Sequence, residues 1–114
     1  MTTGIETSDT AGDQIKAAGT LMFLLTAHAH LPAPAVLLEL LNVPGTYDFA
    51  WGLSIGLHDG LGHFEQWRAA LGLDPAAVEH KQRGDTGWLA VTGLHTGIPV
   101  KVCGFYKLDP GDEQ

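Results

Sequence analysis

The sequence predicts one α+β domain: a five-stranded, mainly antiparallel sheet with two helices packed on one of its faces. Helical and strand-like hydrophobic periods follow one another along the 114 residues in the order α-β-β-α-β-β-β. The turns between neighbouring strand segments are short, which favours antiparallel pairing. A chain of this length builds one domain rather than two. Its 45% hydrophobic and 17% charged residues are typical of a folded protein.

The first helix is predicted over residues 13–30, with Asp13 as its N-cap. Pro32 and Pro34 end it, because the residue before a proline is driven out of the helical region. We expect residues 1–12 to be a disordered lead, residues 13–108 to be the domain and residues 109–114 to be a disordered acidic tail. The helical period consists of apolar residues at three- and four-residue steps: Ile15, Ala18, Met22, Leu25 and Ala29.

Two strands are predicted next. The apolar run 35–41 lies between prolines and a Val-Pro-Gly-Thr turn signal, which favours a strand over a helix. Residues 47–57 alternate strictly, and a period of two places all the large side chains on one face, which we expect to be buried under the helices. These six large residues are Tyr47, Phe49, Trp51, Leu53, Ile55 and Leu57.

A second helix is predicted over residues 60–72, with Asp59 as N-cap and Gly72 at the C-cap. Three strands follow, over residues 77–83, 87–94 and 98–106, separated by turn sequences at 83–87 and 95–97. The helix is expected to bury an apolar stripe made of Leu61, Phe64, Trp67, Ala70 and Leu71.

The net charge of −7 comes mainly from the ends of the chain. Between Gln14 and Leu108 there are seven acidic and six basic residues, so the folded part is near neutral. This argues against direct nucleic-acid binding, which needs a basic surface. No apolar stretch is long enough to span a membrane, and no secretory signal is visible. The lone Cys103 excludes an internal disulfide, so we expect a cytoplasmic protein.

Histidines are the one residue type numerous enough to suggest a metal site, with His28, His30, His58 and His95 as candidate ligands. Two residues apart on a helix, His28 and His30 would point roughly 200° away from one another. The alternative interpretation is a helix C-terminus whose dipole favours a cation. No nucleophile motif is present and Cys103 fits a small buried hydrophobe, so no catalytic residue and no cofactor is predicted.

The face of the 47–57 strand opposite the large side chains carries unusually small residues. Such a surface lets another sheet approach closely, forms the bottom of a cleft, or is simply solvated. We expect it to be an interface, through sheet-to-sheet packing of a homodimer, together with a tryptophan that begins a later strand. The candidate interface residues are Ala50, Gly52, Ser54, Gly56 and Trp88.

Three segments resemble a family of small uncharacterised actinobacterial proteins often found in phage-like or integrative elements: residues 64–72, 88–90 and 97–102. The resemblance covers most of residues 14–106 and implies no activity. A second likeness is to one β-α-β-β-β module of the vicinal oxygen chelate fold, in which a helix ending in Leu-Gly, here Leu71-Gly72, precedes three strands. That fold builds its metal site from two modules, often supplied by a dimer.

These observations predict a non-catalytic binding or regulatory protein that acts through protein–protein contact or self-association. The near-neutral folded part, the small-residue sheet face and the missing catalytic motif favour it. The alternative is a small metal-dependent enzyme or ligand-binding protein that uses some of the histidines, acting as a dimer of half modules.

Overall fold

The computed structural model describes residues 10–108. Short 3₁₀ turns at Ala11–Gln14 and Pro75–Ala77 precede α1 and β3. Within residues 10–108, neither helix is long and apolar enough to span a bilayer. The predicted disorder of the N-terminal lead before Thr10 and of the tail after Leu108 lies outside the described residues. The regular elements are α1 (Ile15–Ala27), β1 (Ala35–Asn42), β2 (Phe49–Leu57), α2 (Leu61–Ala70), β3 (Glu79–Arg83), β4 (Thr86–His95) and β5 (Ile98–Lys107).

The five strands form one sheet in the order β1-β2-β5-β4-β3. Three of the four neighbouring pairs are antiparallel, and the central pair, β2 with β5, is parallel. The predicted fold class and element order are therefore confirmed. The parallel pair arises because the chain leaves β2 through α2 and enters the sheet again at its far edge, as β3. The segment from β2 to β5 thus has the β-α-β-β-β order of the chelate-fold module.

The core lies between the helices and one face of the sheet, which we call the helix face. Leu53, Ile55 and Leu57 of β2 are at most 2% exposed and pack with the equally buried Phe64 and Trp67 of α2. Burying a large apolar side chain contributes about 1.5–3 kcal/mol, so each of these five residues stabilises the packing of α2 on the sheet.

The first two residues of the predicted buried stripe are an exception. Tyr47 is fully exposed and Phe49 is 62% exposed, so the prediction that all six large side chains of residues 47–57 are buried was wrong for them. Tyr47 lies in the turn closed by the Val43 N–H to Asp48 carbonyl hydrogen bond (2.8 Å), before β2 begins. Trp51, the next large residue, is half-buried against the core.

α2 packs closely on the sheet because one position of β5 has no side chain. A Cβ at Gly104 would lie 2.5 Å from Cβ of Phe64, closer than two carbons can approach. Gly104 therefore lets the Phe64 ring lie directly on the backbone of β5. The neighbouring Trp67 is anchored by a hydrogen bond from its Nε1 to the carbonyl oxygen of Pro32 (2.8 Å), which ties α2 to the segment after α1.

Of the three predicted helix-capping residues, Gly72 at the C-terminus of α2 is confirmed, and the two predicted N-caps are wrong. Gly72 has a φ of +68°, and the N–H of Leu73 donates to the carbonyl of Arg68 (3.0 Å), as glycine-terminated helices do. Asp59 is not the N-cap of α2, because the chain turns at Gly60 (φ +119°). Asp13 is not the N-cap of α1 either, because Gln14 holds that position. Asp13 lies in the 3₁₀ turn before it, where its carboxylate accepts a hydrogen bond from the backbone N–H of Thr10 (3.1 Å), the N-cap of that turn.

α1 ends at Ala27, three residues before the predicted end, and the face that it buries is made of Ala17, Thr20 and Leu24. The residues whose spacing predicts the helix lie on its opposite side. Ile15 is 70% exposed and Met22 is 68% exposed. α1 therefore has two apolar faces, and the sheet covers one of them.

Candidate functional site

The face of the sheet opposite the helices, which we call the open face, is concave. Both edges of the sheet, β1 with its turn on one side and β3 on the other, line a single cavity of about 530 Å³, so the sheet curves around it. We call this cavity the groove. It is lined by Leu41, Asn42 and Pro44 at the β1 edge, by Ala77, Glu79 and Lys81 at the β3 edge, and by Trp88, Ala90, Thr92, Lys101 and Cys103 between them.

The central lining of the groove follows from the alternation of β4 and β5. Val91, Val100 and Val102 point to the helix face and are at most 3% exposed. Because side chains alternate between faces along a strand, their neighbours Lys101 and Cys103 point to the open face. The register pairs Ala90 with Cys103, so small side chains meet at the middle of the groove and leave space there.

The charged groups of the groove are already paired. Nζ of Lys101 lies 3.7 Å from Oε2 of Glu39, with both side chains about one-third exposed. Nζ of Lys81 lies 3.6 Å from Oε1 of Glu79 at the β3 edge. Such partly solvated pairs contribute only about 0–1 kcal/mol each, but they leave the groove without a net charge.

Of the side chains that line the groove, the thiol of Cys103 is the strongest potential nucleophile, but its surroundings suppress that reactivity. The thiol belongs to a residue only 7% exposed. Burial raises its pKa, and the nearby Glu39 carboxylate raises it further, while Lys101 acts in the opposite direction. The thiol therefore stays protonated at neutral pH, and a thiol, unlike a thiolate, is a poor nucleophile.

We expect iodoacetamide to alkylate Cys103 far more slowly in the folded protein than in the urea-unfolded chain at pH 8. Because the folded thiol has the higher pKa, the folded state keeps its proton over a range in which the unfolded state loses it. The raised pKa of the Cys103 thiol therefore adds to the free energy of unfolding. This addition is fully present below the pKa of the thiol in the unfolded chain and is lost as the pH rises through its pKa in the folded protein. Mass spectrometry of the adduct over time checks the rate. Equal rates in the two states would contradict this account of the thiol.

All five residues of the predicted interface lie on the open face, but only Trp88 lines the groove. Gly52 is buried, and a Cβ there would lie 2.2 Å from the carbonyl oxygen of Pro99 and 3.1 Å from Cδ1 of Leu41. The other three small residues, Ala50, Ser54 and Gly56, are half-buried. Gly52 therefore leaves room for the backbone of β5 and for Leu41 of β1, and the interface role of the five residues stays a prediction.

The structure does not bring the four candidate metal ligands together, and three of them lie against different aromatic rings. The His28 ring meets the edge of Trp67 (centroids 5.8 Å apart), His58 stacks on Phe105 (4.6 Å) and His95 lies against Phe23 (5.4 Å). His30 is exposed. Among residues 10–108, no three His, Cys, Asp or Glu side chains are grouped so that they could hold a metal ion.

Sequence reasoning found Trp88 but missed the rest of the groove. One usable signal was Lys101, a charge in the otherwise apolar run 98–103, which marks a strand with one face that is not core. The contributions of Leu41 and Glu79 had no such signal, because they depend on the curvature that brings the two sheet edges around one cavity. No protein-family profile, no curated protein and no solved structure matches this chain.

Proposed function

We propose that this protein is a non-catalytic binding protein whose groove receives an extended segment of a protein partner. The observation that carries the proposal is the groove itself: a concave cavity of about 530 Å³ on a sheet face that no described helix covers. Proteins bind their ligands in concave sites that combine apolar walls with placed polar groups, and the groove carries both kinds of residue.

The lining of the groove matches a polypeptide better than a phosphate-bearing ligand. Trp88, Leu41 and Pro44 offer apolar contact for a partner side chain. Thr92 offers a hydroxyl that can donate to or accept from a peptide backbone. Both lysines that line the groove already have carboxylate partners, so neither offers the groove an unpaired positive charge for a nucleic acid or a nucleotide.

The same chemistry favours binding over catalysis. General acid–base and nucleophilic catalysis need a group whose pKa is poised near neutrality or a thiol that ionises readily. In the groove, Lys101 is held in an ion pair and the pKa of the Cys103 thiol is raised. We therefore assign the groove residues to recognition of a partner.

Selection of binders from a library of random linear peptides tests this function. We expect the wild-type protein to enrich peptides that bind Trp88→Ala at least about tenfold more weakly, because a half-buried aromatic in a cleft is the kind of residue that dominates binding energy. Phe49→Ala, which removes an aromatic ring that is 62% exposed and outside the groove, is the matched control and should leave the affinity unchanged. Isothermal titration calorimetry measures both.

Two outcomes would remove the proposal. The first is a selection that enriches no peptide over a folded, unrelated protein. The second is a set of peptides that bind Trp88→Ala as well as they bind the wild type, which would place the binding surface elsewhere.

We also place the protein in the cytoplasm. The support is its single cysteine, Cys103, which gives the chain no internal disulfide to form in an oxidising compartment. Fractionation of cells that express the full chain tests this, and recovery outside the cytoplasmic fraction would contradict it.

A further inference from the structure

A second cavity, of about 370 Å³, lies between α1 and the turn that joins β4 to β5. We call it the side cleft. It shares no lining residue with the groove, and its volume falls in the range of small-molecule sites. Its walls are Lys16, Gly19, Thr20 and Phe23 of α1, with His95 and Thr96 at the turn.

Two residues of the side cleft depart from what their local structure favours. Gly19 lies inside α1, where glycine is unfavourable, and a Cβ there would meet no atom of residues 10–108 within 4 Å, so packing in that range does not require glycine. Thr96 has a φ of +48°, a left-handed conformation that β-branched residues avoid. Departures of this kind concentrate at functional sites, and these two border one cavity.

Three polar groups of the side cleft can each donate a hydrogen bond to an anion. Lys16 forms no ion pair within the described part of the chain. Thr20 is only 8% exposed, yet its hydroxyl has no hydrogen-bond partner among residues 10–108. The His95 imidazole carries an N–H in either tautomer. Among the described residues, no Asp or Glu lines the cleft, so nothing there repels a negative charge.

The charge of the side cleft matches a carboxylate better than a phosphate. Lys16 is the one Lys or Arg among its lining residues, so it balances a single negative charge. A phosphate monoester carries about 1.5–2 negative charges at neutral pH, and part of that would stay unbalanced. The Phe23 ring, 57% exposed and with its centroid 5.4 Å from that of His95, offers an apolar surface for a planar ring.

We propose that the side cleft binds a small aromatic carboxylate. Its carboxylate accepts hydrogen bonds from Lys16 and Thr20, with His95 as a further donor, and its ring packs on Phe23. The missing side chain at Gly19 leaves the space that this ring occupies. The proposal is independent of the groove and holds whether or not the groove binds a peptide.

Isothermal titration calorimetry of the full chain with phenylacetate tests this site. We expect saturable binding to the wild type. Lys16→Met should weaken it at least about tenfold, because the charge-assisted hydrogen bond is lost while the apolar stem is kept. Lys107→Met, which removes a lysine paired with Asp85 outside the cleft, is the matched control and should bind as the wild type does. The uncharged 2-phenylethanol should bind at least about tenfold more weakly than phenylacetate.

Gly19→Leu separates binding from folding. Its side chain would occupy the cleft and weaken phenylacetate binding at least about tenfold, while its Tm should rise because leucine favours a helix more than glycine does. Gly62→Leu, the same change at an exposed position of α2, should raise Tm and leave binding unchanged.

Three results would overturn the proposal. The first is a wild type that shows no saturable binding of phenylacetate. The second is Lys16→Met or Gly19→Leu binding phenylacetate as tightly as the wild type. The third is phenyl phosphate binding more tightly than phenylacetate, which would contradict the assignment of the cleft to a carboxylate.

Discussion

Replacing Gly52 with alanine is expected to lower the free energy of unfolding by about 3 kcal/mol, the upper end for overpacking a close-packed site. The added Cβ would lie 2.2 Å from the carbonyl oxygen of Pro99 and 2.8 Å from its Cγ. The first of these atoms belongs to the backbone of β5, so it cannot rotate away. The clash can be relieved only by separating β2 from β5, the parallel pair at the centre of the sheet.

Gly62→Ala is the matched control for this prediction. Gly62 lies in α2, where a Cβ would meet nothing within 4 Å, so alanine there should raise the free energy of unfolding by about 0.5 kcal/mol through its better helix propensity. Urea unfolding of both variants and the wild type measures the difference. A Gly52→Ala variant as stable as the wild type would show that β2 and β5 are not packed as described.

The second large effect is expected at Trp67. Trp67→Ala should lower the free energy of unfolding by about 3–5 kcal/mol, because it empties the space of the largest fully buried side chain and leaves a cavity. Trp67→Phe should cost less, about 1–3 kcal/mol, by leaving the Pro32 carbonyl oxygen without the donor that Nε1 supplies at 2.8 Å.

Trp88→Ala provides the comparison for Trp67. Trp88 is only half-buried on the open face, so its removal should cost clearly less than Trp67→Ala. The order of stabilities, measured by thermal and urea unfolding, should therefore be wild type, Trp88→Ala, Trp67→Ala. Equal losses at the two tryptophans would contradict the assignment of the core to the helix face and of the groove to the open face.

The strands of the fold were predictable because their signals are local. The alternation in residues 47–57 identified a strand and the side of it that faces the helices, and Leu53, Ile55 and Leu57 are buried there as predicted. The alternation could not show how far along the strand the helices reach. Tyr47 and Phe49 fit the same pattern, and they are exposed because they lie at the turn, where neither helix covers the sheet.

The orientation of α1 was not predictable from its sequence. Its apolar residues fill both sides of the helix, so the steps from Ile15 to Leu25 predicted the helix but did not show which side packs on the sheet. The structure buries the side with the smaller residues, Ala17 and Thr20, together with Leu24, since these allow the helix axis to approach the strands.

Of the groove, the sequence predicted one lining residue, Trp88, and the face of the sheet on which the groove lies. The period of two placed the small residues of β2 on one face, and Trp88 was assigned with them to a candidate interface; the strand registers place both on the open face. The parallel pairing of β2 with β5, which brings Lys101 and Cys103 beside the small residues of β2, depends on contacts between distant parts of the chain. No local pattern encodes it.

The most direct test of the proposed function is to map a selected peptide on the protein by nuclear magnetic resonance, following backbone amide shifts of the labelled full chain during titration. The account predicts that the largest shifts fall at Trp88, Thr92 and Lys101, while those of α1 stay unchanged. Shifts concentrated on α1, or along β1 with none at these three groove residues, would contradict it.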